Sequence, residues 1–186
     1  MDITGTIALM NQFKEILKFT IIALIIVIPV RTFIAQPFIV SGSSMDPTFA
    51  TGQYLIIDQV SYRLSDPKRN DVIVFRYPRN PKIFYIKRII GLPTETISIN
   101  TGKVTIINKE NPEGMLLPDP YIAPSHHSSE TLEVTLGSAE YFVMGDNRTE
   151  SSDSRLWGAL PAKYIMGRPL LRLLPLSKIS ILPGRN

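Results

Sequence analysis

Residues 16–35 constrain this chain more than any other stretch. The run Phe19-Thr20-Ile21-Ile22-Ala23-Leu24-Ile25-Ile26-Val27-Ile28-Pro29-Val30 carries no charge; Lys14, Glu15 and Lys18 precede it, and Thr32-Phe33-Ile34-Ala35 resumes it after Arg31. A spanning helix needs about 20 mostly apolar residues. Residues 16–35 reach that length if Lys18 and Arg31 extend their charged ends to the headgroups. Pro29 is tolerable in a membrane helix. A helix buried in a soluble core is rarely apolar on all sides. A cleaved leader needs a small-residue site, which Ile34-Ala35-Gln36-Pro37 does not offer. The segment therefore reads as one uncleaved transmembrane helix. Lys14 and Lys18 place the N-terminus in the cytoplasm, with Arg31 opposing that bias but not reversing it. The expected organisation is a short cytoplasmic N-terminus (1–15), a single-pass anchor in the plasma membrane (16–35) and an extracytoplasmic domain (36–186).

The 186 residues suit one domain with an appendage, and 44% hydrophobic residues suffice for a core. The net charge of +4 is not gathered into a Lys/Arg block, so no nucleic-acid partner is expected. A mildly basic chain behind an apolar segment suits an anionic lipid bilayer. With no cysteine, disulfides, thiolate zinc sites and a Cys nucleophile are excluded. His126 and His127 are the only two histidines.

After residue 50 the pattern becomes short and rich in β-branched and aromatic residues. Tyr54–Ile57, Asp71–Phe75, Ile83–Ile90, Lys103–Ile107, Thr131–Leu136 and Glu140–Met144 are separated by turn clusters such as Asp66-Pro67, Pro78-Arg79-Asn80-Pro81 and Gly91-Leu92-Pro93. This predicts an all-β domain of antiparallel sheets or a partial barrel, with no long helix after the anchor. Residues 108–130 read as an exposed insertion loop, with both histidines solvated in it. Leu170–Leu182 reads as a closing strand, or alternatively as an interfacial segment.

Three polar segments could carry chemistry. The first is Val40-Ser41-Gly42-Ser43-Ser44-Met45-Asp46-Pro47-Thr48, with three serines among which the residues alone do not choose. A serine hydroxyl needs a base, and a lysine serves only if burial leaves its amine neutral. The second is Ile83-Phe84-Tyr85-Ile86-Lys87-Arg88-Ile89-Ile90. Alternation puts Lys87 on one face between Tyr85 and Ile89, and Arg88 on the other among Phe84, Ile86 and Ile90. An ordinary strand lysine would instead be a solvated edge charge. The third runs from Gly145-Asp146-Asn147-Arg148 through Ser151, Asp153-Ser154-Arg155 and Trp157-Gly158. It is either a surface turn with an Asp153–Arg155 ion pair or a loop that orients a catalytic amine.

Together and in this order, these segments resemble the type I signal peptidases. Gly42-Ser43-Ser44-Met45-Asp46-Pro47-Thr48 resembles the family's serine box. Asp71-Val72-Ile73-Val74-Phe75, Tyr85-Ile86-Lys87-Arg88 and Gly91-Leu92-Pro93 resemble its lysine box, and the Gly145–Gly158 segment its C-terminal box. The resemblance spans about residues 17–182, including Arg31-Thr32-Phe33. It implies a signal-peptidase-like β-fold and a Ser-Lys dyad, with Ser44 as nucleophile and Lys87 as general base. Ser151 would hydrogen-bond and orient the lysine amine. The backbone N–H of Ser44 would be one oxyanion donor. Some members carry a second donor as a serine two residues before the nucleophile, where this chain has Gly42. Asp153 and Arg155 would form a structural ion pair, and Gly145 would keep side-chain bulk away from the lysine. Phe38, Val40, Tyr85 and Ile86 would line the S1 and S3 pockets, shaped for Ala-x-Ala sites. The partners implied are preprotein signal peptides, the lipid bilayer and the export translocon; no metal or cofactor is needed. Two other classes share parts of the pattern: a self-cleaving Ser-Lys regulator, and a non-catalytic membrane-anchored β-domain of a secretion complex. The first carries a DNA-binding or cleavable N-terminal arm, and the second has no use for Ser44 or Lys87.

Overall fold

The computed structural model describes residues 3–29, 31 and 34–185, with side chains described from residue 12 onward. Helix α1 (Ile3–Pro29) starts well before the expected span and stops before its end. The last residue of the expected span, Ala35, instead opens a strand, β1 (Ala35–Ile39). Pro37 explains this, because a residue preceding proline is pushed to extended geometry. Val30, Thr32 and Phe33, which belonged to the expected span, lie outside the described residues, as do Met1 and Asp2. Phe13, Ile16, Leu17, Phe19, Ile22, Leu24, Ile25 and Ile28 are all exposed, on every side of α1. Among the described residues no helix is long and apolar enough to cross a membrane. Lys14, Glu15 and Lys18 lie inside α1, and the apolar part from Phe19 to Pro29 extends only about 16 Å at 1.5 Å per residue, against about 30 Å of hydrocarbon.

The remainder is mostly sheet. In chain order its elements are β2 (Tyr54–Asp58), the single-turn helix α2 (Ser61–Leu64), β3 (Val72–Tyr77), β4 (Asn80–Gly91), β5 (Thr96–Asn100), β6 (Lys103–Ile107), β7 (Met115–Leu116), β8 (Leu132–Thr135) and β9 (Glu140–Met144). After these come the single turn α3 (Ser154–Trp157), β10 (Leu160–Pro161), β11 (Ile165–Leu174) and β12 (Ser180–Ile181). The strands form two open antiparallel sheets rather than a partial barrel. Among the described residues, the larger runs β1-β2-β11-β3-β4-β9-β10, with β12 beside β11, and the smaller runs β7-β6-β5-β8. β1 is therefore an edge strand, which is where a proline such as Pro37 costs no ladder bond.

Burial follows the sequence pattern. In β3, Val72 and Val74 face one core with Leu55, Ile57, Phe49 and Met45. Ile73 and Phe75 face a second core with Ile89, Tyr141 and Val143. A strand covered on both faces reads as a continuous apolar run, as Val72-Ile73-Val74-Phe75 does. β5 and β6 instead alternate, sending Ile97, Ile99, Val104 and Ile106 into a third core with Ile90, Phe142 and Met144. Residues 108–130 are not a free loop: they contain β7, and they bury Leu117, Tyr121 and Ile122.

Candidate active site

Lys87 sits on β4, between β3 and β9 in the larger sheet. It pairs with Ile73 of β3, and the next residue, Arg88, pairs with Met144 of β9. It is thus interior rather than at an edge, and it is buried. Its Nζ lies 2.5 Å from Ser44 Oγ and 3.0 Å from the carbonyl oxygen of Ile86, and 5.4 Å from the centre of the Tyr85 ring. Burial pulls the amine down from 10.5 to about 8; Asp153 and Asp146 partly oppose this, and Arg155 adds to it.

Ser44 lies in the turn after β1. Met45, inside that turn, and Phe49, just after it, are buried in the core and fix the turn there. Thr51 Oγ1 donates to the carbonyl oxygen of Gly42 and lies 3.0 Å from Gly42 N. Gly42 has φ +99°, a left-handed conformation that favours glycine. The carbonyl oxygen of Ser44 accepts a 3.1 Å hydrogen bond from Asn147 N–H. Among the described residues, the Ser44 N–H donates to no protein acceptor.

The loop after β9 joins the two halves of the site. Arg88, next to Lys87, grips the Asp146 carboxylate through Nε and Nη2 at 2.8 and 2.6 Å, with both side chains fully buried. Arg88 Nη1 donates to the carbonyl oxygens of Asn70 and Gly184. Asp146 in turn accepts the Thr48 hydroxyl at 2.5 Å. β4, the serine turn and the 145–148 loop are therefore one hydrogen-bonded unit. Gly145 closes it: a Cβ there would run into Ser151 Oγ and the carbonyl oxygen of Ser44.

Asp153 and Arg155 form the expected ion pair, at 2.8 Å, with Asp153 fully buried. Asp153 also accepts the Gly145 N–H at 3.0 Å. Arg155 reaches Glu130 and Ser128 on the 108–130 segment and the carbonyl oxygen of Arg148. That segment returns to the site through His126, which is not simply solvated. Its Nδ1 lies 3.2 Å from the carbonyl oxygen of Asp46, and its own carbonyl accepts the Arg148 N–H. His127 is exposed, near Asp119. Ser151 departs from expectation: its buried hydroxyl lies beside Gly145 and makes no hydrogen bond to Lys87 or to any other described residue.

A cleft of about 330 Å³ opens over Ser44 and Lys87. Phe38, Val40, Tyr85 and Ile86 all line it, as do Phe84 and, at the polar end, Glu150 and Ser152. The structure thus brings together Ser44, Lys87 and the four pocket candidates, with Asp153–Arg155 and Ser151 close behind. Sequence reasoning missed the Arg88–Asp146 pair. Its one local signal was an arginine on an apolar strand face, which needs a buried partner.

The family model for signal peptidase, peptidase S26, matches residues 13–174. "Probable signal peptidase I-2" of Synechocystis sp. is 35% identical over 92% of this chain and 78% of its own length. Signal peptidase I of Pseudomonas fluorescens is 31% identical over 87% of this chain and 73% of its own length. That of Bacillus licheniformis is 30% identical over 91% and 92%. Among solved structures, a signal peptidase I from Enterococcus faecalis V583 is 28% identical, with a TM-score of 0.47 over 56% of this chain and 97% of that one. With the family model covering most of its length, the chain belongs to the signal peptidase family, peptidase S26.

Proposed function

We propose that Ser44 and Lys87 act as nucleophile and general base in this enzyme. As a signal peptidase it is a serine endopeptidase that removes signal peptides from preproteins. The observation that carries the dyad is the 2.5 Å separation of Lys87 Nζ from Ser44 Oγ, with the amine buried. A lysine with its pKa near 8 holds a usable neutral fraction at neutral pH.

The neutral amine takes the Ser44 proton as Oγ bonds to the carbonyl carbon of the last signal-peptide residue. The carbonyl oxygen becomes an oxyanion, and the uncommitted N–H of Ser44 is the donor in reach of it. When the intermediate collapses, the C–N bond breaks and the Lys87 ammonium protonates the departing amine, which is the new N-terminus. Water then attacks the acyl ester, giving its proton to Lys87, and the C–O bond to Ser44 breaks. Oγ recovers a proton from Lys87. In this reading the Ser151 hydroxyl, which makes no hydrogen bond to Lys87 in the free enzyme, turns to the amine only during the reaction. Phe38, Val40, Tyr85 and Ile86 hold the small side chains of an Ala-x-Ala site, since an apolar pocket strands a charged group without a partner.

α1 serves as the membrane anchor, with the N-terminus cytoplasmic and the β-domain outside. The exposure of apolar side chains all around α1 supports this, because water penalises such a helix. The anchor then takes in α1 from Ile16 to Pro29, with Lys18 reaching toward the headgroups. A preprotein arriving from the export translocon and tethered in the same bilayer would meet the cleft at a raised effective concentration.

The test is processing of a purified preprotein by Ser44→Ala and Lys87→Ala. Each should slow cleavage by at least about 10³-fold while leaving the fold intact by circular dichroism. Near wild-type cleavage by either variant would remove the dyad.

A further inference from the structure

A second cavity, of about 250 Å³, shares no lining residue with the cleft over Ser44 and Lys87. Gln59, Tyr62, Arg63, Arg76, Lys163 and Tyr164 line it, so its wall holds three cationic side chains and no carboxylate. Arg76 Nη1 donates to the carbonyl oxygen of Pro81, and its guanidinium lies over the Phe84 ring, 4.7 Å from the ring centre. Among the described residues, neither Arg76 nor Lys163 has a carboxylate within ion-pair distance. The neighbouring Asp58 is already engaged by Val60 N–H, both donors of Ser61, and Arg168. Gln59 Nε2 is buried without a hydrogen-bond partner. These features suit a compact anion with several acceptor oxygens.

The position of the cavity narrows the choice of anion. Gln59 N–H donates at 3.0 Å to the carbonyl oxygen of Ile34, just before β1 and close to where the chain leaves α1. Arg31, also exposed, belongs to the same exit. On α2, which carries Tyr62 and Arg63, Leu64 is 83% exposed. Basic groups, tyrosines and an exposed leucine beside the end of an apolar helix are what a membrane–water boundary selects.

We propose that this cavity holds the phosphodiester of an anionic lipid headgroup. Such a contact would fix the roll of the β-domain about α1 and so aim the cleft along the membrane surface. The proposal rests on the reading of α1 as the anchor.

The experiment uses the full chain in nanodiscs of phosphatidylcholine with and without phosphatidylglycerol. Native mass spectrometry of the released protein should show phosphatidylglycerol retained above its share of the disc. A Lys163→Gln variant should lose that preference by about five-fold. Its hydrolysis of a short peptide in lipid-free detergent should equal the wild-type rate, which reports an intact fold. Wild-type retention of phosphatidylglycerol only at its disc share would overturn the proposal, whether or not the variant folds. So would equal retention by wild type and an active variant. Displacement of the lipid by millimolar inorganic phosphate would assign the cavity to the free anion instead. Flotation with pure phosphatidylcholine vesicles separates the two readings: an enzyme that fails to float overturns the anchor, and one that floats without preference overturns only the lipid site.

Discussion

At Lys87 burial and charge pull in opposite directions. Desolvation disfavours the ammonium, while Asp153 and Asp146 favour it, and the balance leaves the amine at about 8. Only the neutral amine accepts the Ser44 proton, so the rate follows its unprotonated fraction. The sign is fixed: kcat/KM for a peptide whose own groups do not titrate should climb as pH rises and level off above about 8. A profile flat through that region would take Lys87 out of the proton transfer. Part of this was legible in the sequence. Tyr85 and Ile89, two positions either side of Lys87, announced an apolar face. The choice of Ser44 over Ser41 and Ser43 was not legible from the residues, because it depends on which hydroxyl the folded turn carries to the amine. The hydrogen bond between residues 43 positions apart is a product of tertiary structure.

Strand β4 delivers two neighbouring cations to opposite ends of one device. Lys87 meets Ser44 directly, and Arg88 meets it indirectly, through Asp146, Thr48 and the loop that holds the Ser44 carbonyl. Arg88→Met should leave a buried Asp146 unpaired and cost about 3–5 kcal/mol in urea unfolding. Adding Asp146→Leu should recover much of that stability but not kcat, because Thr48 then loses its acceptor. Gly145→Ala probes the same loop from the other side. Its methyl group would press on the Ser44 carbonyl and the Ser151 hydroxyl, and a displacement of about 1 Å should lower kcat by about 10²-fold with KM little changed. The elements themselves were unevenly legible. β3 and β4 carried strong β-branched runs. β11 did not read as a full strand because Pro169 interrupts it, and the structure absorbs that proline with a register shift between Pro169 and Leu171. β5 alternates cleanly in Thr96-Ile97-Ser98-Ile99-Asn100 but is too polar on its outer face to stand out. The Arg88–Asp146 pair joins β4 to a loop 58 positions away, and no local pattern encodes such a partner.

For the molecule as a whole, the proposed anchoring role of the exposed helix α1 decides where the enzyme would work. If α1 is lodged in lipid, the protein should stay with membranes through alkaline carbonate extraction. Leu24→Asp, which puts a charge near the middle of the apolar stretch at a cost of about 3 kcal/mol, should release a measurable fraction. Full extraction of the wild type would count against the anchor. At the other end of this connection, β1 closes the large sheet with nothing paired to its outer side among the described residues, and Phe38, Ile39 and Val40 line the cleft. A free edge offers a row of main-chain donors and acceptors that only extended backbone can answer. A helix cannot lie there, nor can a strand already bonded within a finished sheet. If the substrate pairs with this edge, a cleavable tripeptide inside a mature, folded cargo would be ignored whatever its residues. A cut made on this edge would be timed by the conformation of the cargo, open while the junction is unstructured and closed once it has folded.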